Sequence, residues 1–312
     1  MSERLKIQIE FNKAVALYDN GLAHTHKGKK CRICGKPVWS SKSQYCWNCA
    51  VLSYRMFCTN KNIPDKAREA IWDYVRKNGY RCYYTGILLD LRDPHSPWYL
   101  VFDHWIPGDN RKVVITSSLL NDMKSDLSED EFWCMIDQLA NYRKYATPIK
   151  KIELKYWKRP YTRMLFQKEP VQGRPVRECR ICGKPVRFKR SRYCVQCGII
   201  RDRTQCENLG SAAVHGIWDY VRKYLYHCFY TKLELDLNDY NSPWYLSFDH
   251  RTPGIKREVV LTCVLFNEMK TDLSEEEFWY YVLQLDNYKK NGAKVRKKKL
   301  NYWYRLHPVE GI

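Results

Sequence analysis

The sequence predicts an α+β protein made of two tandem units, each with a small four-cysteine module followed by a mixed domain with flanking helices. The first observation is an internal repeat: residues 71–142 align with residues 217–288 without a gap, and 44 of the 72 positions are identical. Similarity of this degree indicates duplication of one domain. The second observation is a cysteine pattern upstream of each copy, and the third is a long helical pattern that closes each copy.

Composition and charge limit the possible partners. The chain has 312 residues, 45% of them apolar and 14% aromatic, which is enough for two ordinary domains with cores. Its formal charge of +20 and pI near 9.3 favour a polyanionic partner, by default nucleic acid. The alternative, that excess lysine only keeps the chain in solution, fits less well. The basic residues are interleaved with aromatic ones, as in residues 150–163 and 294–305.

Hydropathy predicts a soluble, intracellular protein with no membrane partner. No run of 18 apolar residues exists, and the N-terminus MSERLKIQIEFNKAV is charged within its first turns.

The local pattern predicts the following elements in each copy. IWDYVRK has helical spacing, and Gly79 can end that helix in the first copy. RCYYTGILLDL and WYLVFD are rich in residues that favour strands and flank a turn-like RDPHSP, and KVVITS predicts another strand. SSLLNDMKSDL predicts a short helix. Ser128 with Glu131, and Ser274 with Glu277, form capping-box patterns that predict the start of the two long helices.

A stretch with the proline and glycine of a linker, QKEPVQGRPVRE, separates the two units. The predicted domains are an N-terminal helix or arm (1–28), a first metal module (29–60), a first mixed domain (61–165), a linker (166–177), a second metal module (178–208) and a second mixed domain (209–312).

Eight cysteines have the spacing of metal ligands. The pattern C-x2-C-x11-C-x2-C occurs twice: Cys31, Cys34, Cys46 and Cys49, then Cys179, Cys182, Cys194 and Cys197. Two CxxC turns present four thiolates to one ion, and four sulfurs suit tetrahedral zinc in a structural site. Disulfides and iron–sulfur clusters are the competing interpretations. We predict two structural zinc sites, and we interpret Cys82 and Cys228, which correspond between the copies, as buried packing residues.

A second constellation joins carboxylate, imidazole and amide side chains. Asp103, His104 and Asn121 recur at the same spacing as Asp249, His250 and Asn267. Carboxylate and amide oxygens are ligands suited to Mg2+ or Mn2+, and a histidine beside them suits a general base. Metal and base together are what phosphodiester hydrolysis requires. The competing interpretation is a polar turn before a helix.

The string that carries this constellation resembles the HNH, or ββα-metal, endonuclease family. Beyond the three residues of each set, the matches are Cys82, Tyr84, Thr85, Pro107 and Lys124, and Cys228, Tyr230, Thr231, Pro253 and Lys270. The resemblance covers about 60 residues of each unit and excludes the cysteine modules. It implies that each unit is a four-cysteine zinc module plus an HNH ββα-metal domain with flanking helices.

The same resemblance implies roles for the individual residues. Asp103 and Asn121, and Asp249 and Asn267, would hold the catalytic Mg2+ or Mn2+. His104 and His250 would be general bases, and Lys124 and Lys270 would lie near the phosphate.

One departure from the family concerns its middle asparagine, which orients the base histidine. Lys112 and Glu258 occupy the corresponding positions. Asn110 lies near enough to substitute in the first copy, whereas the second copy has Lys256 there.

The function predicted from the sequence is a metal-dependent endonuclease acting on double-stranded DNA. Because one HNH site cuts one strand, a fused duplicate is expected to work as a monomeric pseudo-dimer with one site for each strand. The alternative is a non-catalytic zinc-dependent DNA or RNA binder on a degenerate HNH scaffold. A third hypothesis, a nuclease guided by RNA or by a partner protein, ranks lower because no guide-binding domain is visible.

Overall fold

A computed structural model describes residues 26–58, 63–157, 177–186 and 191–303. Most of the predicted N-terminal arm and of the predicted linker lies outside these ranges. Within the described ranges, no helix combines the length and the apolar character needed to cross a membrane. The chain divides into two compact units, the first consisting mainly of the residues up to Asn121 and the second mainly of Asp122–Ala293.

The first repeat contains four strands and four helices. They are β1 (His26–Lys30), β2 (Pro37–Val38), α1 (Trp47–Cys58), α2 (Asp65–Asn78), β3 (Leu100–His104), β4 (Val113–Ser117), α3 (Ser118–Lys124) and α4 (Glu129–Tyr145).

The second repeat has the same order of elements. They are β5 (Arg177–Glu178), β6 (Pro185–Val186), α5 (Val195–Cys206), α6 (Ser211–Tyr224), β7 (Leu246–His250), β8 (Val259–Cys263), α7 (Val264–Lys270) and α8 (Glu275–Asn291). The mixed α+β character predicted from the sequence is therefore confirmed. Helices α1 and α5, which begin at the second cysteine pair of each module, were not predicted.

An antiparallel hairpin followed at once by a short helix lies at the centre of each repeat. In the first, β3 pairs with β4 so that Asp103 faces Val114 and His104 faces Val113; the second pairs Asp249 with Val260 and His250 with Val259. Alternate strand side chains point to opposite faces, and the apolar ones, such as Leu100, Phe102 and Ile115, are buried. The predicted strands WYLVFD and KVVITS and the predicted helix SSLLNDMKSDL are confirmed.

The predicted strand RCYYTGILLDL is wrong. This segment forms turns joined by isolated bridges, Arg81 with Leu88 and Asp90 with Tyr99. Its backbone bonds to the hairpin instead of to a regular neighbour strand, with Tyr83 N donating to Ile115 O at 2.9 Å. Gly86, at φ +65°, reverses the chain in the middle of the segment. Tertiary contacts therefore outweigh the strand preference of these residues.

The predicted end of α2 and the predicted starts of the two long helices are confirmed, whereas α2 begins at Asp65, before the IWDYVRK pattern. Gly79, at φ +70°, ends α2 and donates its N–H to Val75 O. At the start of α4 the Ser128 side chain accepts from Glu131 N while the Glu131 side chain accepts from Ser128 N, and Ser274 and Glu277 repeat this arrangement at α8. Both capping boxes are confirmed, and each satisfies two backbone donors that would otherwise lack partners.

An arginine fixes the helix that follows each cysteine module against the hairpin. Arg203 of α5 is buried, donates to the Leu246 carbonyl at 2.6 Å and lies 5.2 Å from the Tyr245 ring centroid. In the first repeat Arg55 donates to the Leu100 carbonyl, and its guanidinium lies 4.2 Å from the Tyr99 ring centroid. Charge-assisted hydrogen bonds combined with stacking of this kind are strong when water is excluded. The cysteine module and the hairpin of each repeat are consequently packed together.

Helices α4 and α8 pack against each other through equivalent residues that exchange partners. The Trp133 ring stacks on Tyr288 at 6.5 Å, and the Trp279 ring stacks on Tyr142 at 6.4 Å. Since Trp133 aligns with Trp279 and Tyr142 with Tyr288, the two stacks are the same contact made in both directions. The two helices therefore contact each other through residues at equivalent positions of the repeat.

Candidate functional sites

Each four-cysteine motif forms a compact sulfur cluster. The ligand sulfurs of each set all lie within 4.8 Å of one another. Cys34 Sγ lies 3.5 Å from Cys46 Sγ and 3.7 Å from Cys49 Sγ, and Cys182 Sγ lies 3.5 Å from Cys194 Sγ. Four sulfurs about 2.3 Å from a tetrahedral ion lie about 3.8 Å apart, whereas a disulfide needs about 2 Å. The clusters therefore fit two structural zinc ions, as the sequence predicts.

The second cysteine pair of each cluster lies at the start of a helix. Cys194 is the N-cap of α5 and accepts a hydrogen bond from the Cys197 backbone at 3.5 Å. A hydrogen bond from the Cys197 thiol, the largest effect, lowers the pKa of Cys194 to about 4, and Cys49 likewise lowers the pKa of Cys46 to about 5. The same hydrogen bonds raise the pKa of the donor thiols of Cys49 and Cys197, so they favour the metal-binding thiolate form at Cys46 and Cys194 only.

A tyrosine hydroxyl contacts each sulfur cluster. Tyr80 Oη lies 2.9 Å from Cys49 Sγ. Tyr226 Oη lies 3.2 Å from Cys182 Sγ and 3.4 Å from both Cys194 Sγ and Cys197 Sγ. When the cysteines bind metal as thiolates, the hydroxyl is the donor. This contact was not predicted from the sequence, although both tyrosines lie at one repeated position.

In the first repeat the hairpin presents Asp103 and His104 at the end of β3. Asp103 is 6% exposed and accepts a hydrogen bond from the Tyr84 hydroxyl, while His104 is half-buried. Asn121 is also half-buried and lies in α3, the helix that begins directly after β4. Tyr84 belongs to the turn segment that bonds to the hairpin, so that segment fixes the aspartate.

Asn110 supplies the contact that the sequence predicts for the base histidine. Its Oδ1 lies 2.8 Å from His104 Nε2. An amide oxygen accepts, so His104 Nε2 is the donor of this hydrogen bond. Nearby, two side-chain hydrogen bonds and one backbone hydrogen bond from Arg111 lower the pKa of Asp109 to about 2, so this carboxylate stays ionised beside the histidine.

The second repeat surrounds its aspartate with more partners. Asp249 is 6% exposed and accepts from the Tyr230 hydroxyl. Lys270 is fully buried, and its Nζ lies 3.2 Å from Asp249 Oδ1, 3.1 Å from Asp249 Oδ2 and 2.8 Å from the His250 carbonyl oxygen. Hairpin and helix therefore bring Asp249, Lys270 and the backbone of His250 together.

Burial works against both charges of this pair. It raises the pKa of Asp249 above its usual range, although the ammonium of Lys270 opposes the shift. It lowers the pKa of Lys270, although the carboxylate of Asp249 opposes that shift. Each charge therefore opposes the neutralisation of the other. The phosphate contact implied for Lys124 and Lys270 stays a prediction, and both side chains are fully buried.

Asn267 is oriented by two hydrogen bonds from its amide nitrogen. Its Nδ2 donates to Ser247 Oγ at 3.0 Å and to the Phe248 carbonyl oxygen at 3.3 Å, one residue before Asp249. With the nitrogen engaged in this way, Oδ1 is the atom that can act as a metal ligand. Asp249 and Asn267 thus offer oxygen donors of the type Mg2+ prefers. Three of the roughly four acceptor positions of the Asp249 carboxylate are already engaged by Tyr230 and Lys270.

The loop after β7 lacks the asparagine that contacts His104. Lys256 occupies that position and is exposed. The Thr252 hydroxyl donates to Glu258 at 3.0 Å, and Arg251 forms an ion pair with Glu275 at 2.9 Å. These pairs connect the loop to itself and to α8. All residues of the loop lie in the described part of the chain, and none of them makes a side-chain contact to the His250 imidazole of the kind that Asn110 makes to His104.

Comparison with known proteins adds no relative: no family model matches the chain, and no match is found among curated proteins or solved structures.

Proposed function

We propose that the protein is a metal-dependent endonuclease that hydrolyses DNA phosphodiester bonds at ββα sites in its two repeats. The observation that carries the proposal is the repeated placement of adjacent Asp and His at the end of one strand, with Asn in the helix that follows the paired strand. Oxygen ligands beside a histidine are what this reaction requires. The charge of +20 supports a polyanionic substrate.

The proposed mechanism in the first repeat assigns each residue a task. Asp103 and Asn121 would hold Mg2+ or Mn2+, which supplies charge stabilisation for the phosphate and the leaving oxygen. Asn110 holds the His104 imidazole through its Nε2–H, and the imidazole would accept the proton of the attacking water. Tyr84 fixes the carboxylate of Asp103 through its hydroxyl.

The two structural zinc sites have a separate task in this proposal. Four cysteine ligands leave no open coordination position for catalysis, so zinc serves folding. The arginine contacts of Arg55 and Arg203 then connect each zinc module to its hairpin. Loss of zinc is therefore expected to disturb the hairpin as well as the module.

Cleavage of supercoiled plasmid with Mg2+ or Mn2+ tests the proposal. The variants are His104→Ala, His250→Ala and the double variant, with His215→Ala, an exposed histidine of α6, as the control. We expect linear product from the wild type, mainly nicked product from each single variant, and at least a roughly 100-fold loss in the double variant. If the double variant cleaves at the wild-type rate with zinc content unchanged, the proposal is wrong.

The alternative is a non-catalytic nucleic-acid binder, and the Lys270–Asp249 ion pair favours it for the second repeat. A buried ammonium on the proposed metal ligand competes with a divalent ion for the same oxygens. The binder predicts that an Asp103→Ala and Asp249→Ala double variant keeps full affinity for DNA and that the wild type cleaves nothing. An active second site instead predicts nicking by the His104→Ala variant.

A further inference from the structure

The second repeat carries a cluster of aromatic rings and lysines at the C-terminal end of α6, which we call the tyrosine–lysine patch. Its members are Tyr220, Lys223, Tyr224, Phe229 and Lys232. Lys232 Nζ lies 4.4 Å from the Tyr224 ring centroid, 5.0 Å from that of Tyr220 and 5.3 Å from that of Phe229. It also donates to the Tyr220 hydroxyl at 3.2 Å.

The outer part of the patch is open to solvent. Tyr224 is 38% exposed, and Lys223 and Lys232 are exposed beside it. The Lys223 ammonium lies 5.0 Å from the Tyr224 ring centroid. A group of aromatic side chains at a protein surface usually marks a binding site. This group combines a partly open ring with two cations.

The backbone that holds the patch has conformations that favour glycine. Lys232 has φ +56° and Leu225, next to Tyr224, has φ +54°. The first repeat has glycine at both equivalent positions, Gly86 and Gly79, with φ +65° and +70°. A side chain at positive φ is strained, and such strain persists mainly at functional positions. Lys232 therefore occupies a backbone conformation that glycine adopts more easily.

The patch is specific to the second repeat. Asn78 stands at the position of Tyr224, and Gly86 stands at the position of Lys232. Space does not explain the difference, because a Cβ added at Gly86 would meet no heavy atom within 4 Å. One repeat has thus gained a ring and a cation that the other lacks.

Phe229 connects the patch to the candidate site. Its ring meets Tyr230 edge-on at 5.4 Å, and the Tyr230 hydroxyl donates to Asp249. On the same ring lies the Arg251 guanidinium, 5.1 Å from the centroid and one residue after His250. Because Glu275 pairs with Arg251, this arginine contributes stacking and little net charge.

We propose that the tyrosine–lysine patch binds single-stranded nucleic acid, with an unpaired base stacked on Tyr224 and flanking phosphates contacted by Lys223 and Lys232. The Tyr224 ring packs against Tyr220 at 4.9 Å, and the ammoniums of Lys223 and Lys232 lie over it at 5.0 and 4.4 Å, so a base stacks on it when these flexible lysines turn outward to the phosphates. Only an unpaired base can stack in this way, because bases within a duplex present their edges. The inference rests on the proposed nucleic-acid function and narrows it. The substrate has unpaired nucleotides beside the cleavage position of the second repeat.

Binding without cleavage tests this proposal. Fluorescence anisotropy in buffer free of Mg2+ and Mn2+ compares three labelled probes: a 20-nucleotide oligo-dT, a 20-nucleotide oligo-rU and a 20-base-pair duplex. The variants are Tyr224→Ala and Lys232→Gly, the second of which restores the glycine of the first repeat. Tyr145→Ala is the matched control, since that tyrosine is 74% exposed at the end of another helix.

We expect Tyr224→Ala to weaken oligo-dT binding about 10-fold, since stacking of one base contributes about 1–3 kcal/mol. Lys232→Gly weakens it about 5-fold, while its melting temperature stays within about 2 °C of the wild type or rises, because the strain is removed. Duplex binding changes less than about 2-fold in both, and Tyr145→Ala behaves as the wild type. The ratio of dT to rU affinity tells whether the patch prefers DNA or RNA.

Two results would overturn the inference: single-strand affinity unchanged in both patch variants, or duplex affinity lowered as much as single-strand affinity. After either result, plasmid cleavage would still test the proposed nuclease activity. Conversely, a wild type that binds oligo-dT through Tyr224 and never cuts plasmid removes the nuclease proposal and supports the patch.

Discussion

The two candidate sites have the same strands, the same short helix and the same Asp, His and Asn, yet they differ in what holds the histidine. In the first, the His104 imidazole contacts Asn110 at 2.8 Å. In the second, Lys256 replaces that asparagine, and the loop is closed by Thr252 with Glu258 and Arg251 with Glu275. The first site is thus the better candidate for proton transfer, and the second is the one with an adjoining tyrosine–lysine patch.

The parts that the two sites share are buried, and the loop in which they differ is more exposed. The aspartate is 6% exposed in both repeats, and the tyrosine that bonds it is 3% exposed in the first and 5% in the second. Buried positions are held by packing and hydrogen bonds, so they tolerate little change. The loop that follows the histidine, residues 105–112 and 251–258, is exposed or half-buried throughout, and five of its eight positions differ between the repeats. Duplication has preserved the hairpin and changed its periphery.

Removal of zinc should have the largest effect and tests whether the repeats depend on it equally. Wild type is expected to bind two zinc ions per chain, and Cys46→Ser and Cys194→Ser are each expected to bind one. A structural zinc contributes about 10–16 kcal/mol of binding free energy, so each variant should lose thermal stability in its own repeat. Metal analysis and calorimetry measure both effects. Cys134→Ser, which alters an exposed cysteine outside the clusters, should change neither.

The second-largest effect is expected from disrupting the buried ion pair between Lys270 and Asp249. Lys270→Met leaves the carboxylate of Asp249 buried without its cation, so we expect the free energy of unfolding to fall by about 3 kcal/mol. Adding Asp249→Asn should recover at least about 1 kcal/mol, because the uncompensated charge is then absent. Urea unfolding of the single and double variants measures the coupling. Additive effects of the two changes would show that the pair is not coupled.

Exchange of the loop residue tests the proposed difference in catalysis. In a His250→Ala background, Asn110→Ala should slow nicking by about 10-fold, because His104 loses the partner that fixes its tautomer. In a His104→Ala background, Lys256→Asn should raise the nicking rate several-fold. Rates that do not respond to either change would mean that the loop does not control the histidine.

The smallest expected effect concerns Asp286, whose position in the first repeat is Ala140. Burial raises the pKa of Asp286, but hydrogen bonds from Lys144 and Lys290 outweigh it and lower the pKa below its usual 3.8. A lowered pKa stabilises the fold above the ordinary pKa, and the stabilisation is lost as the pH falls through the folded-state value. Asp286→Asn should therefore cost about 1 kcal/mol at pH 7 and progressively less below about pH 4. Unfolding curves at both pH values measure the difference, and a cost that does not change with pH would contradict the assignment.

Much of the fold was predictable because its signals are local. The CxxC pairs, the Ser and Glu of the capping boxes and the Gly79 that ends α2 each act within a few residues. The wrong strand at RCYYTGILLDL shows the limit. Its residues favour strands, but Tyr83 bonds to Ile115, and that distant partner fixes the segment as a turn. Asn110 was predictable from its distance along the chain, since a short loop joins it to His104.

The sequence by itself determined the duplication, the two sulfur clusters and the order of strand, strand and helix that presents Asp, His and Asn. Only the tertiary structure decided what contacts them. Tyr84 reaches Asp103 across 19 residues, Tyr80 reaches Cys49 across 31 and Arg55 reaches Leu100 across 45. Lys270 is buried against Asp249 because α7 packs on the hairpin. Spacing along a chain specifies local geometry, whereas partners this distant are chosen by the packing of whole elements.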